Sequence, residues 1–154
     1  MPEARTLMDG RVVTVSSTAS LLDVQRLFVA EGISGAPVVG EAEELLGVIT
    51  STDLLRAANE THESAGSDSE YFRDLLPYSS PDWVQGPEDF QDRLSALTVA
   101  DAMTDSIVSV PPTTSAAQVA ETLLKHRIHR LFVVEDGTLQ GVVSAFDLLR
   151  LIKD

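Results

Sequence analysis

The sequence predicts a mixed α/β (α+β) fold built from two copies of one β-α-β-β-α unit, and three observations lead there. The run Gly141-Val142-Val143-Ser144-Ala145-Phe146-Asp147-Leu148-Leu149-Arg150 repeats the pattern of Gly47-Val48-Ile49-Thr50-Ser51-Thr52-Asp53-Leu54-Leu55-Arg56. Upstream, Val12-Val13-Thr14-Val15 matches Ile107-Val108-Ser109-Val110, and Gly32 to Val39 matches Arg127 to Val134. Between these lie matched helix starts, Ser20-Leu21-Leu22-Asp23-Val24 and Ser115-Ala116-Ala117-Gln118-Val119. Matched segments in a fixed order mark an internal repeat. A unit of about 50 residues buries little core alone, so the halves are expected to pack together.

Each element has its own signal. Leu7 and Met8 anchor a short lead-in, matched by Ala102 and Met103. Val12 to Val15 reads as an apolar strand. Ser20 opens a helix with Asp23 at capping-box distance, Leu21, Val24, Leu27 and Phe28 form its apolar stripe, and Gly32 stops it. Pro37-Val38-Val39 is a second strand, with proline tolerated at its start. Gly40 to Glu44 is an acidic turn, Leu45 to Thr50 a third strand, and residues 53–58 a closing helix. In the second copy Ser115 and Gln118 form a capping-box pair, and Val119, Leu123 and Leu124 line the helix. Asp136-Gly137 is a tight-turn signal between strands 131–134 and 139–144.

Residues 59–97 belong to neither copy, so the chain divides into 1–58, an insert 59–97, and 98–154. The insert holds nine acidic residues and two basic ones (Arg73 and Arg93), which is over half of the net charge of −13. Its first part, Asn59 to Glu70, reads as flexible. The rest carries Tyr71, Phe72, Tyr78, Trp83 and Phe90, and aromatics are scarce in disordered linkers. Short helices are expected near 70–77 and 88–97, separated by Pro77, Pro81 and Pro87. These aromatics either cover exposed core or form a lid or partner-docking element.

Composition removes several function classes. Phosphate backbones and anionic membranes need clustered Lys and Arg, which an acidic chain of this kind does not offer, so no nucleic-acid or membrane partner is expected. Without cysteine there is no disulfide, thiol nucleophile or thiolate metal site. No apolar run approaches the roughly 20 residues of a membrane span, and the start Met-Pro-Glu-Ala-Arg has no signal-peptide core. The expectation is a cytoplasmic protein. Its three histidines, His62, His126 and His129, form no nucleophile–base pair, and His126 with His129 lacks a nearby third ligand. Neither catalytic residues nor a metal is expected, and the chain is not read as an enzyme.

Ligand binding has better support. The bare N–H groups of the helix after Ser144, with its hydroxyl and the Asp147 carboxylate, make a polar spot suited to a polyol or an anion. Asp147 and Asp53 are placed to accept hydrogen bonds from vicinal hydroxyls, as acidic residues do with ribose in dinucleotide sites. Each is equally accounted for as a helix N-cap. Lys125, His126, Arg127, His129 and Arg130 gather cations beside the second copy's strand, where the first copy has Ala30, Glu31, Gly32, Ser34 and Gly35. That cluster suits a phosphate, although a helix C-terminus also favours cations.

The doubled G-h-h-[ST]-x-x-D-L motif, the strands Pro37-Val38-Val39 and Leu131-Phe132-Val133-Val134, and the Met8 and Met103 lead-ins resemble a tandem pair of cystathionine-β-synthase (CBS) domains. The resemblance covers roughly residues 5–58 and 99–153 and leaves out the insert. It implies repeats packed about a pseudo-twofold axis, with clefts between them that take adenosine ligands. Carried onto this chain, one cleft would use Asp147 and Ser144 for ribose, Val142 beside the base, and His129 or Arg130 toward phosphate, with Val12, Ile33 and Ser34 from the first repeat. A second, weaker cleft would use Asp53, Thr50 and Val48 with Ile107, Ile128 and His129 from across the axis. The resemblance also implies a homodimer, with exposed helix faces at Leu54 and Leu55 and at Leu148, Leu149, Leu151 and Ile152.

The function expected is a stand-alone regulatory module that binds AMP, ADP or ATP, needs no cofactor, and signals in trans to an unidentified protein effector. The alternative is a ligand-free dimerisation or scaffold module that docks partners through its insert.

Overall fold

A computed structural model describes residues 2–59 and 88–153. The chain runs α1 (Ala4–Leu7), β1 (Val15–Ser16), α2 (Leu21–Glu31), β2 (Gly35–Val39), β3 (Leu45–Thr50) and α3 (Ser51–Ala58). It continues with α4 (Glu88–Ala96), α5 (Val99–Ala102), β4 (Ser109–Val110), α6 (Ala116–His126), β5 (Arg130–Glu135), β6 (Thr138–Ser144) and α7 (Ala145–Lys153).

The local signals act as their chemistry requires. Ser20 Oγ accepts the Asp23 N–H at 3.1 Å and starts α2, which ends at Gly32 in the left-handed region with φ 67°. Ser115 and Gln118 close a reciprocal capping box on α6. Asp136 and Gly137, with φ of 53° and 82°, make the turn between β5 and β6, where positive φ at both central residues matches the strand twist. The helix expected near 88–97 is α4, whereas the one expected near 70–77 lies outside the described residues.

Each repeat forms its own three-stranded sheet, in the orders β1-β2-β3 and β4-β5-β6. In each, the first strand pairs parallel and the last antiparallel to the middle one. Both middle strands shift register at matched places, Val38/Val39 and Val133/Val134, so the duplication extends to irregularities of the ladder.

The first strands are shorter than expected: Val15–Ser16 and Ser109–Val110 replace the longer strands read from Val12 and Ile107. The cause is where the preceding chain goes. Asp9 pairs with Val142 of the other repeat (N–H to carbonyl 2.9 and 3.1 Å), and Thr104 pairs with Val48 (2.8 and 2.9 Å). Each lead-in is therefore anchored on the opposite repeat. The residues between anchor and strand span from one sheet to the other and cannot also sit in a ladder.

This exchange explains the repeated glycines. A Cβ at Gly47 would lie 2.4 Å from the Thr104 carbonyl oxygen, and one at Gly141 would lie 2.7 Å from that of Asp9. The exchange also joins the cores. The cluster around Leu131, Phe132 and Val133 takes in Ala4 and Val48, and the cluster around Phe28 and Ile49 takes in Val99.

The exposed apolar face expected in repeat one is absent. Leu54 is fully buried and Leu55 half-buried, because α4 packs on α2 and α3. Leu94 of α4 is fully buried there, and Arg93 Nη1 donates to the Ala58 carbonyl at 2.8 Å, satisfying the end of α3.

Candidate functional site

Both copies of the motif place a strand end against a helix start, and both close a reciprocal hydrogen-bond pair. In repeat two the Ser144 N–H donates to Asp147 Oδ2 at 2.8 Å, and the Ser144 hydroxyl donates to the same oxygen at 3.2 Å. The Asp147 N–H returns to Ser144 Oγ at 3.3 Å. In repeat one the Thr50 N–H donates to Asp53 Oδ2 at 2.9 Å, and the Asp53 N–H to Thr50 Oγ1 at 3.2 Å. Capping is thus a role of both carboxylates.

Their surroundings differ. The Asp53 side chain is 6% exposed, and its Oδ1 accepts Arg56 Nη1 at 3.1 Å. Burial raises its carboxyl above the ordinary value of 3.8, against the lowering effects of the Thr50 hydrogen bonds and the Arg56 guanidinium. The Asp147 side chain is 14% exposed, and its Oδ1 faces Arg150 Nη1 at 3.4 Å, from a side chain that is 77% exposed. The arginine three residues after each Asp was legible as the D-L-L-R spacing, but its pairing with the motif carboxylate was not read from the sequence.

The structure brings the repeat-two residues of the first expected site together. Arg130 is the register partner of Ser144 across β5 and β6, and the His129 carbonyl accepts the Ala145 N–H at 2.8 Å, so both stand at the start of α7. Val142 pairs with Asp9. The main chain of repeat one at Asp9 therefore lies beside the motif of repeat two, a neighbour missed from sequence although the doubled glycine was its signal.

For Ser34 and Ile33 the structure gives contacts with their own repeat: the Ser34 carbonyl accepts the Ser51 N–H at 2.9 Å, and Ile33 packs on the repeat-one core. Val12 is half-buried in the span between α1 and β1. Of the second group, Asp53 and Thr50 are joined as above, and Val48 is fully buried in the repeat-two core with Ile128, against which Ile107 packs.

Cations surround the end of α6. Lys125, His126 and Arg127 are exposed, and His129 and Arg130 half-buried. Arg127 holds the left-handed φ of 55° at the position where repeat one has Gly32. Among the described residues there is no group of three or more His, Asp or Glu placed to hold a metal ion, and no helix long and apolar enough to cross a membrane.

Comparison with known proteins agrees with this architecture. The family model described as the CBS domain matches twice, over residues 4–60 and 99–154. An uncharacterised protein of Methanocaldococcus jannaschii is 30% identical over 143 residues, which is 91% of this chain and 85% of that protein. Other curated relatives are longer, and this chain spans 42% and 63% of two of them. The solved CBS domain of a CBS-domain-containing membrane protein from Sphaerobacter thermophilus superposes with a TM-score of 0.71 at 27% identity, over 98% of this chain and 88% of that one. CBSX2 of Arabidopsis thaliana, solved in complex with AMP, superposes with a TM-score of 0.67 at 24% identity, over 99% and 97% of the two chains. With its doubled motif, its two matched sheets and its two family matches, the chain belongs to the CBS domain family, as a pair of CBS repeats.

Proposed function

We propose that the chain is a regulatory module, not an enzyme, that binds a phosphorylated adenosine (AMP, ADP or ATP) at the start of α7 and passes the event to a protein effector in trans. The ribose would be held by Asp147 and Ser144, the base would lie beside Val142, and the phosphate would face His129 and Arg130. Val12, Ile33 and Ser34 would close the cleft from repeat one. The cleft built on Asp53, Thr50, Val48, Ile107 and Ile128 would be the weaker one. The working division remains two repeats, 1–58 and 98–154, with the insert 59–97 between them.

One observation carries the preference for Asp147. The same capping pair is less buried in repeat two, where the carboxylate oxygen left over from capping lies 3.4 Å from a solvent-exposed Arg150. In repeat one the matching oxygen has a shorter bond to Arg56 in a buried setting. Hydroxyl groups of a ribose can replace the first arrangement at little cost, whereas the second would leave a buried carboxylate to be rearranged. The AMP found with CBSX2 supports the choice of ligand class.

The test is a thermal-shift panel of AMP, ADP, ATP, S-adenosylmethionine and NADH, run on nucleotide-free protein and on Asp147→Ala. A ligand at 100 times its Kd stabilises by about 2.7 kcal/mol, a rise of roughly 5–10 °C for a chain of this size. The expected result is a concentration-dependent rise with one phosphorylated adenosine, lost in Asp147→Ala and retained in Asp53→Asn. No shift with any ligand would overturn the reading in favour of a ligand-free scaffold.

A further inference from the structure

The helices α2 and α6 end in the same turn but carry different residues at its tightest point. The Ile33 N–H reaches the Phe28 carbonyl at 3.0 Å, and the Ile128 N–H reaches the Leu123 carbonyl at 3.0 Å. Between helix and strand, Gly32 stands at φ 67° and ψ 37°, and Arg127 at φ 55° and ψ 46°. Glycine takes this left-handed conformation freely, whereas a residue with a Cβ is strained in it. Arg127 therefore costs the fold something that Gly32 does not. The attraction of a helix C-terminus for cations does not account for it, because Lys125 and His126 already stand in the last turn of α6. Nor does pairing: Arg127 is exposed, and among the described residues neither it nor Lys125 is in an ion pair. A strained residue that gives nothing back to the fold points to function.

Given the nucleotide reading above, on which this rests, we propose that Arg127, with Lys125 beside it, makes the Asp147 site select an adenosine di- or triphosphate over the monophosphate. Arg130 lies opposite Ser144, and the His129 carbonyl accepts the Ala145 N–H, so the first phosphate at the start of α7 belongs to those two residues. Arg127 is three residues upstream of Arg130, a span of at most about 10 Å along the chain. It is exposed where His129 and Arg130 are half-buried, and so stands where the further phosphates leave the cleft. Those phosphates give ATP about two more negative charges than AMP, and two cations match them. On a chain of net charge −13 such an anion needs cations close at hand. Repeat one holds Ala30 and Gly32 at the matching positions, with Glu31 between them, so its cleft lacks the preference.

Isothermal titration of the nucleotide-free full chain with AMP, ADP and ATP, in buffer without divalent cations, reads the preference directly. The wild-type chain is expected to bind ATP roughly tenfold more tightly than AMP, with ADP between them. Arg127→Gly and Arg127→Asn, both at ease in the left-handed turn, are expected to bring ATP to within about twofold of AMP and to leave AMP unchanged. Arg127→Lys, which keeps the charge, is expected to retain most of the preference. A residue that only shaped the turn would move AMP and ATP together. Equal wild-type affinities, a preference for AMP, a preference that survives Arg127→Gly, or a fall of AMP and ATP alike in that variant would each overturn the proposal and leave the nucleotide reading standing. No binding of any of the three nucleotides would overturn both.

Discussion

Asp53 and Asp147 occupy one place in one motif, close the same capping pair, and stand in different settings. The difference arises outside the motif. In repeat one α4 lies across α2 and α3, so Leu54 and Ala58 are fully buried and Asp53 sits deep beside Arg56. In repeat two no helix of the described residues plays that part, α7 has no buried residue, and Asp147, half-buried, faces a solvent-exposed Arg150. The comparison teaches that the motif specifies a strand-to-helix junction, and that its neighbours decide whether the junction serves as core or as a surface that can meet a ligand.

The largest effects should come from the covered side. Leu94→Ala, which opens a cavity between α4 and the helices beneath it, is expected to cost about 2–4 kcal/mol in urea unfolding, whereas Leu149→Ala, at an exposed position, should stay within about 0.5 kcal/mol. Equal costs at the two sites would break the comparison. Gly47→Ala and Gly141→Ala test the exchanged lead-ins that both repeats share, and each should cost about 1–3 kcal/mol. Gly47→Ala should be the worse, since its Cβ meets backbone at 2.4 Å rather than 2.7 Å.

The carboxylates separate by pH. Burial holds the Asp53 carboxyl above 3.8, so between that value and its folded pKa the folded chain binds more protons than the unfolded one. Its contribution to stability is fully present below pH 3.8 and is lost as pH rises through the folded value. Asp101 behaves in the opposite sense. Hydrogen bonds from the Thr98 N–H and hydroxyl to Asp101 Oδ2, at 2.9 and 3.0 Å, lower its carboxyl, so its contribution is present above pH 3.8 and is lost as pH falls through the folded value. Urea midpoints from pH 3 to 6 should therefore show wild type losing ground to Asp53→Asn, and gaining on Asp101→Asn, as pH rises. Parallel curves for wild type and Asp53→Asn would show that Asp53 is not buried as described.

The smallest effect concerns the two helix ends. Arg127→Gly removes a side chain from a left-handed position that repeat one gives to Gly32, and it should stabilise the chain by about 0.5–1 kcal/mol, or roughly 2–3 °C. The same variant should leave nucleotide shifts nearly intact if His129 and Arg130 meet the phosphate, and weaken them if the exposed end of α6 does.

Much of this was legible in the sequence, and the reason lies in the range of the forces involved. Caps at Ser20 and Ser115, the stop at Gly32, the Asp136-Gly137 turn and the paired motifs are settled by hydrogen bonds and φ/ψ preferences that reach no more than a few residues along the chain. The duplication itself was visible because each copy repeats those local choices in order. The sequence alone also placed Ser144, Asp147, His129 and Arg130 in adjoining segments, and the strand register then sets Arg130 opposite Ser144.

Tertiary structure alone decided the rest. Each lead-in crosses to the other repeat, which shortens β1 and β4 and brings Asp9 beside Val142. Among the described residues α4 covers repeat one and no helix covers repeat two in the same way, so Ala58 is core while Ile152, at the matching position, is surface. Burial depends on what arrives from distant parts of the chain, and two segments with the same pattern cannot announce from within which of them will be covered.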